Sequence, residues 1–346
     1  MSETALTLIE SIRRRPGMFI GDMTIRGLKT MLEYFLDDIQ EHNLSEKEVR
    51  IEFKRNNWIR IEANNIDTTS FVEGLSDLEK TENYSHPNLP ILIALSKEIK
   101  IELRKIPSLI IFSAENGTCQ SAATIAKEKI DGIVVEFQIN PEIFIPFEIN
   151  YEILNQSLRK YALIYNDFKI ISVDSSSDTQ QINVFNYPNG VSHELDCKIG
   201  KQLHGRPMLR LDLNKKIDGD EYKISFAYQD IWIGQTDVTT YANQHELIHG
   251  GSFIEGILEG IVSALNEVAS QKKISININL NNVKEQLMLV GSVKSAEFRF
   301  GGSTKTSLDM PKLKEDVYKF VFHETLEYLK ENEDAIFKVL QKYTID

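Results

Sequence analysis

Cysteine is nearly absent from this chain: Cys119 and Cys197 are the only two in 346 residues. Two widely separated thiols form neither a disulfide framework nor a metal-binding cysteine cluster, and they fit a reducing compartment. Long apolar runs are missing as well. None approaches the roughly 20 residues that a membrane-spanning helix needs. Met1 to Arg15 lacks the uninterrupted apolar core of a signal peptide, so the chain is read as cytoplasmic. Basic charge is in deficit, with 39 Lys and Arg against 51 Asp and Glu and a net charge of -12. That balance disfavours a broad grip on DNA, because affinity for the phosphate backbone comes mainly from Lys and Arg. The one tight basic triplet, Arg13-Arg14-Arg15, reads as a solvated helix end. Glycine is absent from Leu75 through Asn116. That stretch therefore lacks the pliable backbone with which loops wrap phosphates.

What is present describes a globular protein. Hydrophobic residues make up 42% and charged residues 26%, and the length suits two domains. Leu28, Met31, Leu32, Phe35, Leu36 and Ile39 recur at helical spacing, so a helix is expected over 28–42. Val49, Ile51, Phe53 and then Ile59, Ile61, Ala63 alternate with polar residues around Asn56-Asn57, the pattern of a β-hairpin. Residues 68–90 read as polar and irregular. Ile91 to Ser96 is a short apolar run of helical type. Strands are expected at 99–104, 109–113, 133–137 and 168–173, with an amphipathic helix at 149–164. Strands interleaved with helices predict an α+β sandwich, a sheet with helices on one face. Beyond the polar stretch 175–181, strands are expected near 209–213, 222–228, 274–280 and 289–294. Helices are expected at 254–270, 311–330 and 333–343.

Arg13 to Gly21, reading Arg-Arg-Arg-Pro-Gly-Met-Phe-Ile-Gly, resembles the opening of the gyrase B subunit and its relatives, the ATPase end of type II topoisomerases. The resemblance continues in order. Asn150 to Ile164 is similar to the helix that closes the family's nucleotide-binding domain. Tyr187 to Val191 is similar to the strand-turn that opens its transducer. Ile248 to Phe253 resembles its G-G-T-H segment. Asn281 to Leu287 and Phe300 to Lys305 resemble the E-D-V-R-E-G-L and F-x-x-Q-T-K strings. The resemblance implies an N-terminal GHKL-type (Bergerat) sandwich over 1–185 and a ribosomal-protein-S5-like transducer over 186–346. The cation-binding domain that supports DNA cleavage in the intact subunit has no counterpart, so topoisomerase activity is not expected from this chain alone.

The same resemblance implies the site residues. Glu33 falls at the general base that activates water, and Asp37 at the magnesium-binding asparagine four residues on. Ala63-Asn64-Asn65-Ile66-Asp67 stands where the family has D-x-G-x-G, so Asn64 and Asn65 are the candidate adenine contacts. Gly132-Ile133 stands for the G-T pair that lines the adenine pocket. Lys305 stands for the transducer lysine that reaches the terminal phosphate. The glycine-rich lid is replaced by Ser85-His86-Pro87-Asn88-Leu89-Pro90-Ile91, whose two prolines lack the N–H groups that phosphate would need. Glu33 and Lys305 are thus expected to be vestigial. Asp37, Asn64, Asn65, Gly132 and Ile133 are expected to mark an altered cofactor site. The reading is a non-hydrolysing module that needs no cofactor and acts through a protein partner or a second copy of itself. The alternative is a divergent clamp that still binds ATP and magnesium.

Overall fold

The computed structural model describes residues 6–43, 47–76, 78, 88–126, 131–201, 207–228, 236–285, 287–302 and 304–341. The chain divides into two compact units, Met1–Pro188 and Asn189–Asp346.

The first unit opens with helices α1 (Leu8–Arg14), α2 (Gly17–Ile20) and α3 (Ile25–Glu41). α1 is closed by a capping box between Thr7 and Glu10. The hairpin follows as β1 (Glu48–Lys54) and β2 (Trp58–Asn64), with Ile51 opposite Ile61. Asn56 and Asn57 both take positive φ at its turn, a conformation that asparagine tolerates better than most residues. Next come α4 (Thr69–Ser76), α5 (Asn88–Leu95), β3 (Ser96–Lys105), β4 (Ser108–Glu115), β5 (Thr118–Ala126) and β6 (Gly132–Ile139). The unit ends with α6 (Tyr151–Ile164), β7 (Lys169–Ser175) and β8 (Gln181–Phe185). The eight strands form one sheet in the order β5-β4-β3-β6-β2-β1-β7-β8.

Alternation decides which sheet face is buried. Val49, Ile51, Phe53, Ile59, Ile61, Ala63, Ile99, Ile101, Leu103, Ile133, Val135 and Phe137 are all buried, and they fall on one face by register. The other face carries ion pairs that each reach across an intervening strand, Lys54–Glu136 from β1 to β6 at 2.7 Å and Arg104–Glu62 from β3 to β2 at 3.3 Å. A cavity of ≈ 610 Å³ opens there among Glu52, Lys54, Trp58, Lys100 and Glu136.

Three expectations are corrected in this unit. The stretch 68–90 is not wholly irregular: α4 fills 69–76 and α5 begins at Asn88. Ser85, His86 and Pro87 lie outside the described residues, and Pro90 sits in the first turn of α5, where proline is tolerated. β5 and β8 were not expected: β5 has no apolar alternation, and in β8 the alternation of Ile182 and Val184 is only five residues long.

The second unit begins with α7 (Val191–Lys201), a helix the sequence reading missed. β9 (Leu209–Ile217), β10 (Asp220–Tyr228), β11 (Asp237–Ala242) and β12 (His245–Glu246) follow, then α8 (Ser252–Gln271), α9 (Leu280–Lys284) and β13 (Leu287–Lys294). α10 (Pro311–Glu331) and α11 (Glu333–Gln341) close the described chain. The sheet order is β12-β11-β13-β10-β9. Its core includes Tyr222, Phe226 and Phe253, with the Tyr222 and Phe253 rings 6.4 Å apart.

The strand expected at 274–280 does not form. Ile278 instead donates its N–H to Asn266 Oδ1 at 2.9 Å and accepts from Asn266 Nδ2 at 2.8 Å. A side chain of α8 thus satisfies the backbone that a neighbouring strand would otherwise pair. The alternating isoleucines pack without a ladder: Ile278 is buried, and Ile274 and Ile276 lie against the core.

α8 and α10 pack closely because α8 presents glycines at Gly256 and Gly260. A Cβ on Gly256 would stand 2.6 Å from the Lys314 carbonyl oxygen, and one on Gly260 would stand 2.9 Å from that of Tyr318. Backbone gives way less readily than a flexible side chain, so Gly256→Ala is expected to destabilise this unit by about 2 kcal/mol, within the range for overpacked cores. Urea denaturation followed by circular dichroism measures it, and an unchanged midpoint would contradict this packing.

Candidate functional site

The site is built around α3, and the sequence places its start firmly. Asp22 Oδ1 accepts from Thr24 N at 2.8 Å, Thr24 Oγ1 at 2.6 Å and Gly27 N at 3.2 Å. The Thr24 hydroxyl in turn caps the helix by accepting from Arg26 N. Arg13 is not simply a solvated helix end. Its Nη1 donates to the Ala94 carbonyl at 2.7 Å and fixes α1 against the end of α5.

α3 carries polar groups on two sides. Toward α6, Glu33 Oε1 accepts from Ser157 Oγ at 2.8 Å, with Lys29 Nζ at 3.7 Å, and Asp37 Oδ1 accepts from Tyr161 OH at 2.8 Å. Toward α5, Asp38 Oδ1 accepts from Asn88 Nδ2 at 2.7 Å, and the same amide nitrogen lies 3.3 Å from the Tyr34 carbonyl oxygen. Below Asp38, the ring of Phe71 on α4 meets Phe35 at 6.0 Å and His42 at 5.7 Å, both edge-on.

Burial dominates the electrostatics of α3. It raises the Glu33 carboxyl above its usual range, against the opposing charges of Lys29 and Lys160 and the Ser157 hydrogen bond. It lifts Asp37 to about 7; the Tyr161 hydrogen bond opposes the shift, and the negative charges of Glu33, Asp38 and Glu41 add to it. It lifts Asp38 to about 6, opposed by the Asn88 hydrogen bond and by His42. Desolvation and the Asp37 carboxylate together push the Tyr161 phenol well up. Near neutrality the helix therefore holds carboxyl groups close to their titration points in a confined volume.

The second group of expected residues lies at the ends of β2 and β6. Ala63 and Ile133 are cross-strand partners and both are buried. Asn64, the next residue, is exposed, because successive strand side chains point to opposite faces. Asn65 takes φ +57 and donates its N–H to the Asp131 carbonyl at 2.7 Å, so it serves the turn. Gly132 pairs with Asn64, and a Cβ there would stand 2.6 Å from the Ala63 carbonyl oxygen. Gly132 is therefore a packing glycine in this structure. Past β2, the Thr68 and Ser70 hydroxyls are buried without a hydrogen-bond partner among the described residues.

Lys305 lies in the second unit, on a loop whose Ser303 is outside the described residues. Lys305 takes φ +54, and its Nζ sits 5.9 Å from the centre of the Phe300 ring. The loop is pinned by a bond from His249 N to the Thr306 carbonyl at 2.9 Å and by the parallel bridge of Leu308 to Gly251.

The structure thus groups Glu33 and Asp37 together, groups Asn64, Asn65, Gly132 and Ile133 together, and keeps Lys305 in a separate unit. Sequence reasoning missed Tyr34, Asn88, Ser157 and Tyr161. One signal was available for Tyr34. The family spacing of glutamate and metal ligand, four residues apart, is met equally by Tyr34 and Asp38, one position later on the helix. Among the described residues no cluster of three or more His, Cys, Asp and Glu side chains has metal-holding geometry. No helix among them is long and apolar enough to cross a membrane.

Comparison with known proteins agrees with this architecture. Residues 191–345 match the family described as DNA gyrase B. The DNA gyrase B protein of Archaeoglobus fulgidus is 24% identical in an alignment covering 98% of this chain and 57% of that protein. The Staphylococcus epidermidis protein of the same description is 22% identical, covering 94% of this chain and 54% of the relative. The chain therefore spans little more than half the length of these curated relatives. Among solved structures, the 43K ATPase domain of Thermus thermophilus gyrase B, in complex with an aminocoumarin, superposes with a TM-score of 0.79 at 20% identity. That match covers 98% of this chain and 95% of the other. The Myxococcus xanthus gyrase B structure gives 0.78 at 17% identity, covering 96% and 99%. The chain is similar to gyrase B and has the fold of the gyrase B 43K ATPase domain.

The carboxyl cluster has a pH consequence. Asp37 titrates higher in the folded chain than in the unfolded one, so its protonated form is the one that folding favours. The associated stability is fully present below about pH 4 and is lost as pH rises through about 7. Asp37→Asn keeps an acceptor for Tyr161 and removes the charge. It is expected to raise stability at pH 8 by roughly 2–4 kcal/mol relative to its effect at pH 5. Thermal unfolding at the two pH values checks it, and an equal effect at both would contradict the burial argument.

Proposed function

We propose that this gyrase B relative is an ATPase-transducer module that no longer hydrolyses ATP and acts by binding a protein, either a topoisomerase-related subunit or another partner. On this reading the first unit is the ATPase-like domain and the second the transducer-like domain. One observation carries it: of the two stretches expected to line the adenine pocket, the residues that face the buried core are Ala63 and Ile133, an apolar pair opposite each other across β2 and β6, and not the expected Asn64. Neither side chain offers an atom that accepts or donates a hydrogen bond, and Asn64 is exposed on the opposite face. A purine amino group buried against them would lose its water partners without replacement, at a cost of about 1–3 kcal/mol.

The α3 geometry supports the same conclusion. Glu33 and Asp37 are engaged by Ser157 and Tyr161 of α6. The carboxylate on the side of α5 is Asp38; the residue four positions before it is Tyr34, and a tyrosine in the place of the general base has no carboxylate with which to activate water. Phosphoryl transfer depends on positioning and electrostatic preorganisation, so a carboxylate held against another helix gives little turnover. The -12 net charge supports partners other than DNA for this chain. Isothermal titration of the intact chain with ATP and magnesium is expected to give a flat isotherm. Tight, magnesium-dependent binding would overturn the proposal.

A second reading is favoured by one specific observation. The buried Thr68 and Ser70 hydroxyls, without partners among the described residues, follow β2 directly, and a bound nucleotide or ordered water would satisfy them. This is the divergent clamp that binds ATP and magnesium and dimerises, with Glu33 as general base and Lys305 as phosphate contact. It requires measurable ATPase activity that Glu33→Ala abolishes. Phosphate release at the background level from the unmodified chain rules it out.

A further inference from the structure

Strands at the edge of a sheet present unpaired N–H and C=O groups, and proteins ordinarily guard them with charge, proline or brevity. This sheet inverts that rule. Its interior strands all carry charged residues, while its two edges, β5 and β8, are the only described strands with none. β5 reads Thr-Cys-Gln-Ser-Ala-Ala-Thr-Ile-Ala over nine residues. It has no proline, and residues 118–125 are all exposed. Toward β4 it is well formed: Ser113 and Ser121 share a hydrogen bond at 2.7 Å, and Ile111 and Leu109 stand opposite Ala123 and Ile125. Leu109, Ile111, Ala123 and Ile125 make an apolar row on the face away from the helices, with Ile125 47% exposed.

We propose that the β5 edge is a docking seam for a second copy of this chain, paired antiparallel with its own β5 across a two-fold axis. Each copy carries a net charge of -12, so two copies repel unless they meet where charge is missing, and β5 provides such a place. In an antiparallel self-pairing Thr, Ser, Gln and Ala meet residues of the same kind, and no like charges are opposed. The apolar rows of the two copies become continuous, which adds buried area to the main-chain bonds. Pairing β5 with β8 of another copy is the less suitable arrangement. β8 has only five residues, and a head-to-tail contact does not close on itself.

The test uses the intact chain in sedimentation velocity over a range of concentrations, alongside the double variant Ser121→Lys/Ala123→Lys. The unmodified chain is expected to approach twice 39.6 kDa on concentration, and the variant to remain at the single-chain mass. Hydrogen exchange at high concentration is expected to be about tenfold faster in the variant across 118–126. Unchanged protection of β3 and β6 shows that the variant has folded. A chain that stays monomeric at every concentration overturns the proposal. So does a dimer that survives the lysines, a mass that grows without limit as a β5–β8 array would, or β5 protection that appears only when an extended peptide is added.

Discussion

The removal of carboxylates from water along one helix governs the first unit. α3 must bury Leu28, Met31, Leu32, Phe35, Leu36 and Ile39 to hold the layer above the sheet, and that face leaves Glu33, Asp37 and Asp38 in confined surroundings on either side. Each is retained because a neighbour supplies a proton donor: Ser157 and Tyr161 from α6, and Asn88 from α5. Buried polar groups persist in folded proteins when they are hydrogen-bonded. These three bonds therefore set how α5 and α6 sit against α3. Hydrogen bonds to these carboxylates join α3 to α5 and α6.

The fold was largely legible, and the reasons differ by element. α3 and the β1–β2 hairpin were found because their apolar periods of 3.6 and 2 are clean, and because Asn56-Asn57 suits a tight turn. β5 escaped because an edge strand exposed on both faces has no period to read, and β8 because its alternation spans only five residues. The isoleucine alternation at 274–278 misled because the Asn266 side chain bonds the Ile278 backbone and Ile274 and Ile276 donate to local carbonyls, which no pattern of hydrophobicity reveals.

The site was less legible than the fold. Its expected residues came from matching short strings, and a shift of one residue along a helix turns a side chain by about 100°. That shift separates Asp37, bonded to Tyr161 of α6, from Asp38, bonded to Asn88 of α5. At the sheet, Asn64 and Ala63 are likewise one residue apart and on opposite faces. Polar identity alone favoured Asn64, whereas strand direction leaves Ala63 on the buried face beside Ile133. In both places side-chain direction carries more information than residue type.

The clasp between Asn266 and Ile278 has a consequence for the lifetime of the protein. One amide group meets both the N–H and the C=O of a single residue. Slow hydrolysis of that amide to an acid would keep an acceptor for the N–H but leave the carbonyl facing an anion. Ageing chemistry at a single nitrogen would then loosen a segment that no adjoining strand holds, with every other bond of the chain intact.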